Sequence, residues 1–158
     1  MNLRDLIRLL FLTSGKSITD STDEEDLERF IKKLRPKPVG KKLIRIGGKG
    51  DGGYLLPDDL SGISSCFSPG VDITSTFEEE LAETYGINSF MVDFSVDKPL
   101  IENKLFHFDK KFLGNKNDEK FIRLEDWVKS NTSDDSDLLL QMDIEGAEYE
   151  VVIDTPSE

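Results

Sequence analysis

The sequence predicts an α/β fold: an open parallel sheet with helices on both faces, preceded by two helices and a β-hairpin. Three observations lead there. From Ile63 onward, short apolar runs alternate with stretches of helical period, as strands joined through crossover helices do. Upstream, Asp51-Gly52 stands between two short apolar runs, a hairpin-turn signal. Before Pro36 the apolar residues recur at helical spacing instead.

Leu3, Leu6, Ile7 and Leu10 share one helical face, and Leu27, Phe30, Ile31 and Leu34 share another. Thr22, with Glu25 three residues later, offers a capping box for the second helix, which Pro36 and Pro38 end. Residues 13–23 are polar and form a loop. Residues 42–46 and 54–56 are the hairpin strands, with the glycine-rich run 47–53 between them. Residues 63–67 form the first strand of the sheet. Ser75 or Thr76 then opens a helix with Phe77, Leu81, Ala82 and Tyr85 on one face, and Gly86 closes it. Residues 90–92 and 105–108 are the next strands, 121–124 a further short one, and 125–129 a helical turn. A polar loop over 130–137 leads to residues 138–142, the clearest buried strand, and a helix begins near Ala147. The chain thus divides into a helical segment, 1–40, and an α/β domain, 41–158.

A chain of 158 residues is long enough for one domain with a substantial core. No apolar run approaches the roughly 20 residues that cross a bilayer. The stretch Leu6 to Leu12 superficially resembles a secretory leader, but Arg8 interrupts it and no small-residue cleavage pattern follows. A cytoplasmic location is therefore expected. Cys66 is the single cysteine, so no internal disulfide forms. With His107 the single histidine, zinc chemistry is not expected. Charge is unevenly spread: residues 1–50 hold 12 Lys and Arg against 7 Asp and Glu, and residues 51–158 hold 8 against 25. So acidic a main body argues against nucleic acid as a partner, since phosphate neutralisation needs a basic surface.

In an open parallel sheet, ligands bind beyond the carboxyl ends of the strands, where strand order reverses. Three expected strand ends carry suitable residues. The first is Ser68-Pro69-Gly70-Val71-Asp72, where Gly70 permits a close backbone approach. The second is Asp93, 23 residues after Gly70, placed to accept hydrogen bonds from ribose hydroxyls. The third is Asp143 with Glu145. No G-x-G-x-x-G follows the first strand, and residues 47–53 lack the spacing of a P-loop. A nucleoside cofactor without phosphates fits better than a dinucleotide, which disfavours a nicotinamide-dependent oxidoreductase. S-adenosyl-L-methionine is such a molecule, and its sulfonium cation suits an acidic pocket.

The run Asp51-Gly52-Gly53-Tyr54-Leu55-Leu56, then Ser68-Pro69-Gly70-Val71 with Phe77-Glu78, then Asp93, and above all Met142-Asp143-Ile144-Glu145-Gly146-Ala147-Glu148, resembles the FkbM-type methyltransferases over about residues 41–158. The resemblance implies a Rossmann-like class I methyltransferase sheet and O-methylation of a sugar or other small hydroxyl acceptor. It implies that Ser68, Gly70 and Val71 pack on the cofactor's methionine and ribose portions, with Asp93 on the ribose. It places Asp143 and Glu145 at the methyl-transfer site, with Asp143 a candidate general base. Because such sheets normally continue for several strands, the chain is expected to hold an incomplete sheet of order 3-2-1-4 and to be a fragment. Residues 138–142 then form an exposed edge strand through which the chain could self-associate.

Plainer roles stand beside these. Asp93 could cap its strand end, and Asp143 and Glu145 could be charges favouring the next helix's dipole. Residues 51–53 could be a hairpin turn or a substrate clamp. Tyr54 reads as core or rim, His107 as pointing outward from its strand, and Cys66 as a small buried residue. The whole could also be a non-catalytic module that interacts through its sheet edge.

Overall fold

The computed structural model describes residues 7, 13, 23–71, 73–132 and 136–156, and the chain forms two compact units, Met1–Val39 and Gly40–Glu158. In the first unit, helix α1 spans Glu24–Leu34. Its cap is Asp23; Thr22, expected as the cap, lies outside the described residues. The Asp23 carboxylate accepts from the amides of Glu25 (3.0 Å) and Asp26 (3.3 Å). A carboxylate there also meets the positive end of the helix dipole. The helix expected on Leu3, Leu6, Ile7 and Leu10 lies outside the described residues, apart from Ile7, which is helical.

The second unit opens with an antiparallel hairpin, β1 (Leu43–Gly47) and β2 (Gly53–Pro57). The principal sheet contains β3 (Ser65–Pro69), β4 (Asn88–Val92), β5 (Phe106–Asp109) and β8 (Leu138–Leu140). All its pairings are parallel and its order is β5-β4-β3-β8. The chain therefore winds outward from β3 to one edge and returns to place β8 on β3's other side. This is the expected 3-2-1-4 arrangement. Between β3 and β4 lies helix α2 (Thr76–Glu80), continued by a π turn, Leu81–Tyr85. Helix α3 (Leu124–Asn131) precedes β8 and helix α4 (Glu148–Asp154) follows it. No described helix is long and apolar enough to cross a membrane.

Every residue of β3 is buried, as a strand covered on both faces must be. Its alternating side chains serve two cores. Cys66 joins Ile46, Phe77, Leu81 and Ile87 under the hairpin and α2. Phe67 joins Val92, Leu113, Leu124, Trp127 and Val151 on the opposite face, against α3 and α4. There it stacks on Phe90 at 5.1 Å and meets Trp127 edge-on at 4.9 Å.

Four expectations need correction. The run 138–142, expected as the clearest buried strand, is a strand over Leu138–Leu140 alone, and as the edge of the sheet it leaves Leu138 and Leu140 exposed. Tyr85 does not share the buried face with Phe77, Leu81 and Ala82; the π turn widens the last turn and rotates it outward. Residues 121–124 do not extend the principal sheet. Instead β7 (Phe121–Arg123) pairs with β6 (Phe112–Gly114) in a separate parallel pair. The intervening loop is held by Asp118, whose carboxylate accepts from the amides of Lys120 and Phe121 at 2.8 Å each. The Lys116 ammonium and these amides hold the Asp118 carboxyl down at about 2. Lastly, β3 begins two residues later than 63, at Ser65.

Phe67 touches both α3 and the strand beside it, so Phe67→Ala should remove about 3–5 kcal/mol of stability. Urea unfolding followed by the emission of Trp127, the single tryptophan, checks this.

Candidate functional site

The carboxyl ends of β3, β4 and β8 surround a cleft of about 580 Å³. That volume falls in the range of small-molecule sites. Gly70 and Val71 enter from β3, Val92 and Asp93 from β4, and Asp143, Ile144 and Glu145 from beyond β8. The hairpin adds Asp51, Gly52 and Tyr54, α2 adds Phe77 and Glu78, and the β6–β7 pair adds Phe112, Leu113 and Phe121. Strand order reverses between β3 and β8, so the cleft sits at the switch point where such sheets bind ligands.

The ladder between β3 and β8 continues past Leu140. The amide of Gln141 donates to the Phe67 carbonyl (3.0 Å) and that of Asp143 to the Pro69 carbonyl (3.3 Å). Gly70 follows with a φ of +80°, and a Cβ built on it would overlap the carbonyl oxygen of Asp143. Glycine at 70 is thus demanded by the neighbouring chain segment, a reason distinct from the ligand approach expected of it, although it also lines the cleft. Glu145 has a φ of +56° and Gly146 of +99°. A non-glycine residue in that region is uncommon, and such strain collects at functional sites. The turn is held from below by Glu148, which accepts from the Ile144 amide at 2.9 Å. Glu148 thus braces the loop before α4.

Asp93 is 7 % exposed. Its Oδ1 accepts from the amide of Ser95 at 2.8 Å and from the Ser95 hydroxyl at 2.6 Å. It therefore both braces its own loop and borders the cleft. Ser68 is fully buried behind the wall, not on the cleft surface. Its hydroxyl lies against the carboxyl of Glu78 and 2.7 Å from Oε1 of Gln141, and those two residues do reach the cleft. Tyr54 bridges the hairpin to the site: its hydroxyl donates to Oδ2 of Asp143 at 3.3 Å, and its ring meets Phe77 edge-on. Burial, then the Asp143 charge, pushes the Tyr54 phenol up to about 12.

Sequence reading missed Tyr54, Glu78 and Gln141 as site residues. Glu78 is masked by Glu79 and Glu80, which give it the look of a solvated acidic run; its sequence signals are its place beside Phe77 on the apolar face and the pair's part in the resemblance. Elsewhere the outcomes are plain. Cys66 is buried, with burial holding its thiol well above its ordinary range. His107 is exposed on β5 and stacks on Phe90. The glycine run 47–53 makes the β1–β2 turn, laced by Arg45 to the carbonyls of Gly48 (2.8 Å) and Gly50 (2.9 Å).

The electrostatic character of the cleft is one-sided. Asp51, Glu78, Asp93, Asp143 and Glu145 line it, and among the described residues no Lys, Arg or His does. Apolar side chains, including Val71, Phe112, Leu113 and Phe121, occupy the rest. Such a cavity suits a cationic ligand with a flat apolar portion and disfavours a polyphosphate. Comparison with protein-family models, curated proteins and solved structures returns no match for the chain.

Two outcomes follow from this geometry. Gly70→Ala should lower stability by about 2–4 kcal/mol in chemical denaturation, more than an exposed glycine of ordinary φ. Of the three tyrosines, one phenolate should appear in ultraviolet titration only near pH 12, and Tyr54→Phe should abolish that late step. Because ionisation is held back in the folded state, Tyr54's contribution to stability is whole below about pH 10 and is lost as pH rises toward 12.

Proposed function

We propose that the chain binds S-adenosyl-L-methionine in this cleft, and that it serves methyl transfer to a hydroxyl oxygen of a small acceptor such as a sugar. The observation that carries this reading is the meeting of Gly70, Asp93 and Asp143, from three separate strand ends, in the lining of one cavity. The strand order β5-β4-β3-β8 supports it as the corresponding half of a Rossmann-like methyltransferase sheet. So does the resemblance of residues 142–148 to the FkbM-type motif.

The residues fit that cofactor. Carboxyl groups are at hand for its cationic groups, apolar side chains for the purine, and Asp93 for the ribose hydroxyls. When bound, the cofactor supplies an activated methyl group. The protein's residues hold the partners in line, which is where most of the rate advantage in such a transfer arises. Asp143, oriented by the Tyr54 hydroxyl, is placed to take the acceptor's proton as general base. Glu145, fixed by its turn, stands beside it to bind the acceptor's other hydroxyls.

Calorimetry should show adenosylmethionine binding to the whole chain and no binding of a dinucleotide. Asp93→Ala should weaken that binding by about tenfold or more, as loss of a charged hydrogen-bond acceptor does. No heat from a well-folded sample would overturn the reading. A second reading, a module that pairs through its sheet edge, is favoured by β8: among the described residues it is hydrogen-bonded on one side only, and Leu138 and Leu140 are 37 % and 46 % exposed. A stable dimer by light scattering, without cofactor affinity, would select it.

A further inference from the structure

Glu78 is a charge-bearing group with little around it to accommodate a charge. It is 2 % exposed, yet it forms part of the cleft wall. No lysine or arginine bridges it among the described residues. The ionisable groups that face it are Tyr54 from β2 and Cys66 from β3, and the cleft adds Asp51, Asp93, Asp143 and Glu145. All are acids. Among the strands packed on α2, the cation closest in sequence to the site is Arg45 of β1, whose guanidinium is committed to the carbonyls of Gly48 and Gly50. Of the other glutamates of α2, Glu80 turns away to accept from the amide of Gly47 at 2.8 Å.

The hydrogen bonding around Ser68 indicates how Glu78 is tolerated. Ser68 has one hydroxyl proton, but its Oγ lies within hydrogen-bonding reach of two acceptor oxygens, one on Glu78 and one on Gln141. Both contacts are satisfied when Glu78 itself carries a proton, donating to Ser68, which then donates to Oε1 of Gln141. Reversing the Gln141 amide would instead let that side chain donate to Ser68. It would also leave a buried, ionised carboxylate with no cation beside it, which burial opposes. Burial indeed pushes the Glu78 carboxyl up, against the smaller lowering from Ser68.

We propose that Glu78 is the receptor for the ammonium group of the bound ligand, neutral in the empty cleft and ionised once that group docks, so that one proton leaves for solvent per molecule bound. This rests on the reading of the cleft as an adenosylmethionine site. That cofactor has two cationic centres, and only the ammonium has N–H bonds to donate to a carboxylate; the sulfonium must turn its methyl toward the acceptor. The balance is simple. The carboxyl O–H gives its proton to water, the ammonium stays charged, and an N–H···O bond between opposite charges replaces the neutral arrangement. Ser68 then donates to the Glu78 carboxylate, and Gln141 is freed toward the ligand.

Calorimetry in two buffers of different ionisation enthalpy counts the protons. Adenosylmethionine binding to the wild-type chain should release close to one proton below the Glu78 titration range, and affinity should rise up to tenfold per pH unit to a plateau. S-Adenosylhomocysteine, which keeps the ammonium on a neutral sulfur, should release the same proton, whereas methylthioadenosine, a neutral thioether without the amino-acid arm, should bind with no release. Glu78→Gln, isosteric with the protonated acid, should keep the wild-type unfolding midpoint, lose the proton release and bind adenosylmethionine at least tenfold more weakly, with methylthioadenosine unaffected. Equal proton counts for adenosylmethionine and methylthioadenosine on the wild-type chain would overturn the assignment, even if the variant failed to fold. So would adenosylmethionine affinity undiminished in Glu78→Gln, and in both cases the cofactor reading would survive. If none of these ligands binds the folded wild-type chain, the cofactor reading and this inference fall together.

Discussion

The carbonyl oxygen of Asp143 occupies the space that a side chain at position 70 would need, and the positive φ of Gly70 turns the backbone to receive it. That contact, with the amides of Gln141 and Asp143 donating to β3, joins the two strand ends that diverge at the switch point. The rest of the site depends on it. Among the described residues the segment carrying Asp143 and Glu145 has one β neighbour, so its position relative to Asp93 and the hairpin is set through β3. Tyr54 adds a tether from the other side, but one long hydrogen bond at the rim is worth far less than a register shared with a fully buried strand.

Much of this architecture was legible in the sequence. The strands β3 and β4 are runs whose apolar character reflects burial on both faces, whereas the equally apolar run of β8 lies at the sheet's edge with Leu138 and Leu140 exposed. Gly86 adopts the left-handed conformation that ends its helix, with a φ of +68°. The convergence of Gly70, Asp93 and Asp143 could be anticipated because parallel sheets place successive strand ends along one rim. What could not be read were features made by contacts distant in sequence. The β6–β7 pair is short and is held largely by the Asp118 turn, which has no apolar period. The π turn depends on an extra residue in a helix whose sequence looks regular. Glu78 stood in a row of three glutamates, and only the fold distinguishes the one that turns inward from its neighbours. Ser68 was legible as important but not in its role, since period-two reasoning cannot say whether a strand residue meets the ligand or supports one that does.

The two cores on either side of the sheet both reach the cleft, the second through Val92 and Leu113, but they carry different helices. The face under α2 carries the wall that bears Phe77 and Glu78, so packing there is coupled directly to the shape of the cleft. The face bearing Trp127 and Val151 anchors α3 and α4. Arg123 adds a half-buried pair with Asp154 at 2.7 Å, linking β7 to α4. A buried acidic group on the first face and a nearly all-apolar second face are consistent with this division, because polar groups are retained in cores where specificity demands them.

The backbone at Glu145 has a further consequence for how this chain would change under selection. A left-handed conformation costs a side-chain-bearing residue about 1–2 kcal/mol relative to glycine, and Gly146 beside it shows that the turn itself would accept one. A population screened solely for heat tolerance should therefore drift toward glycine or asparagine at 145. Retention of glutamate there through such a screen would signify that the carboxylate is kept for chemistry, at the expense of the chain's own robustness.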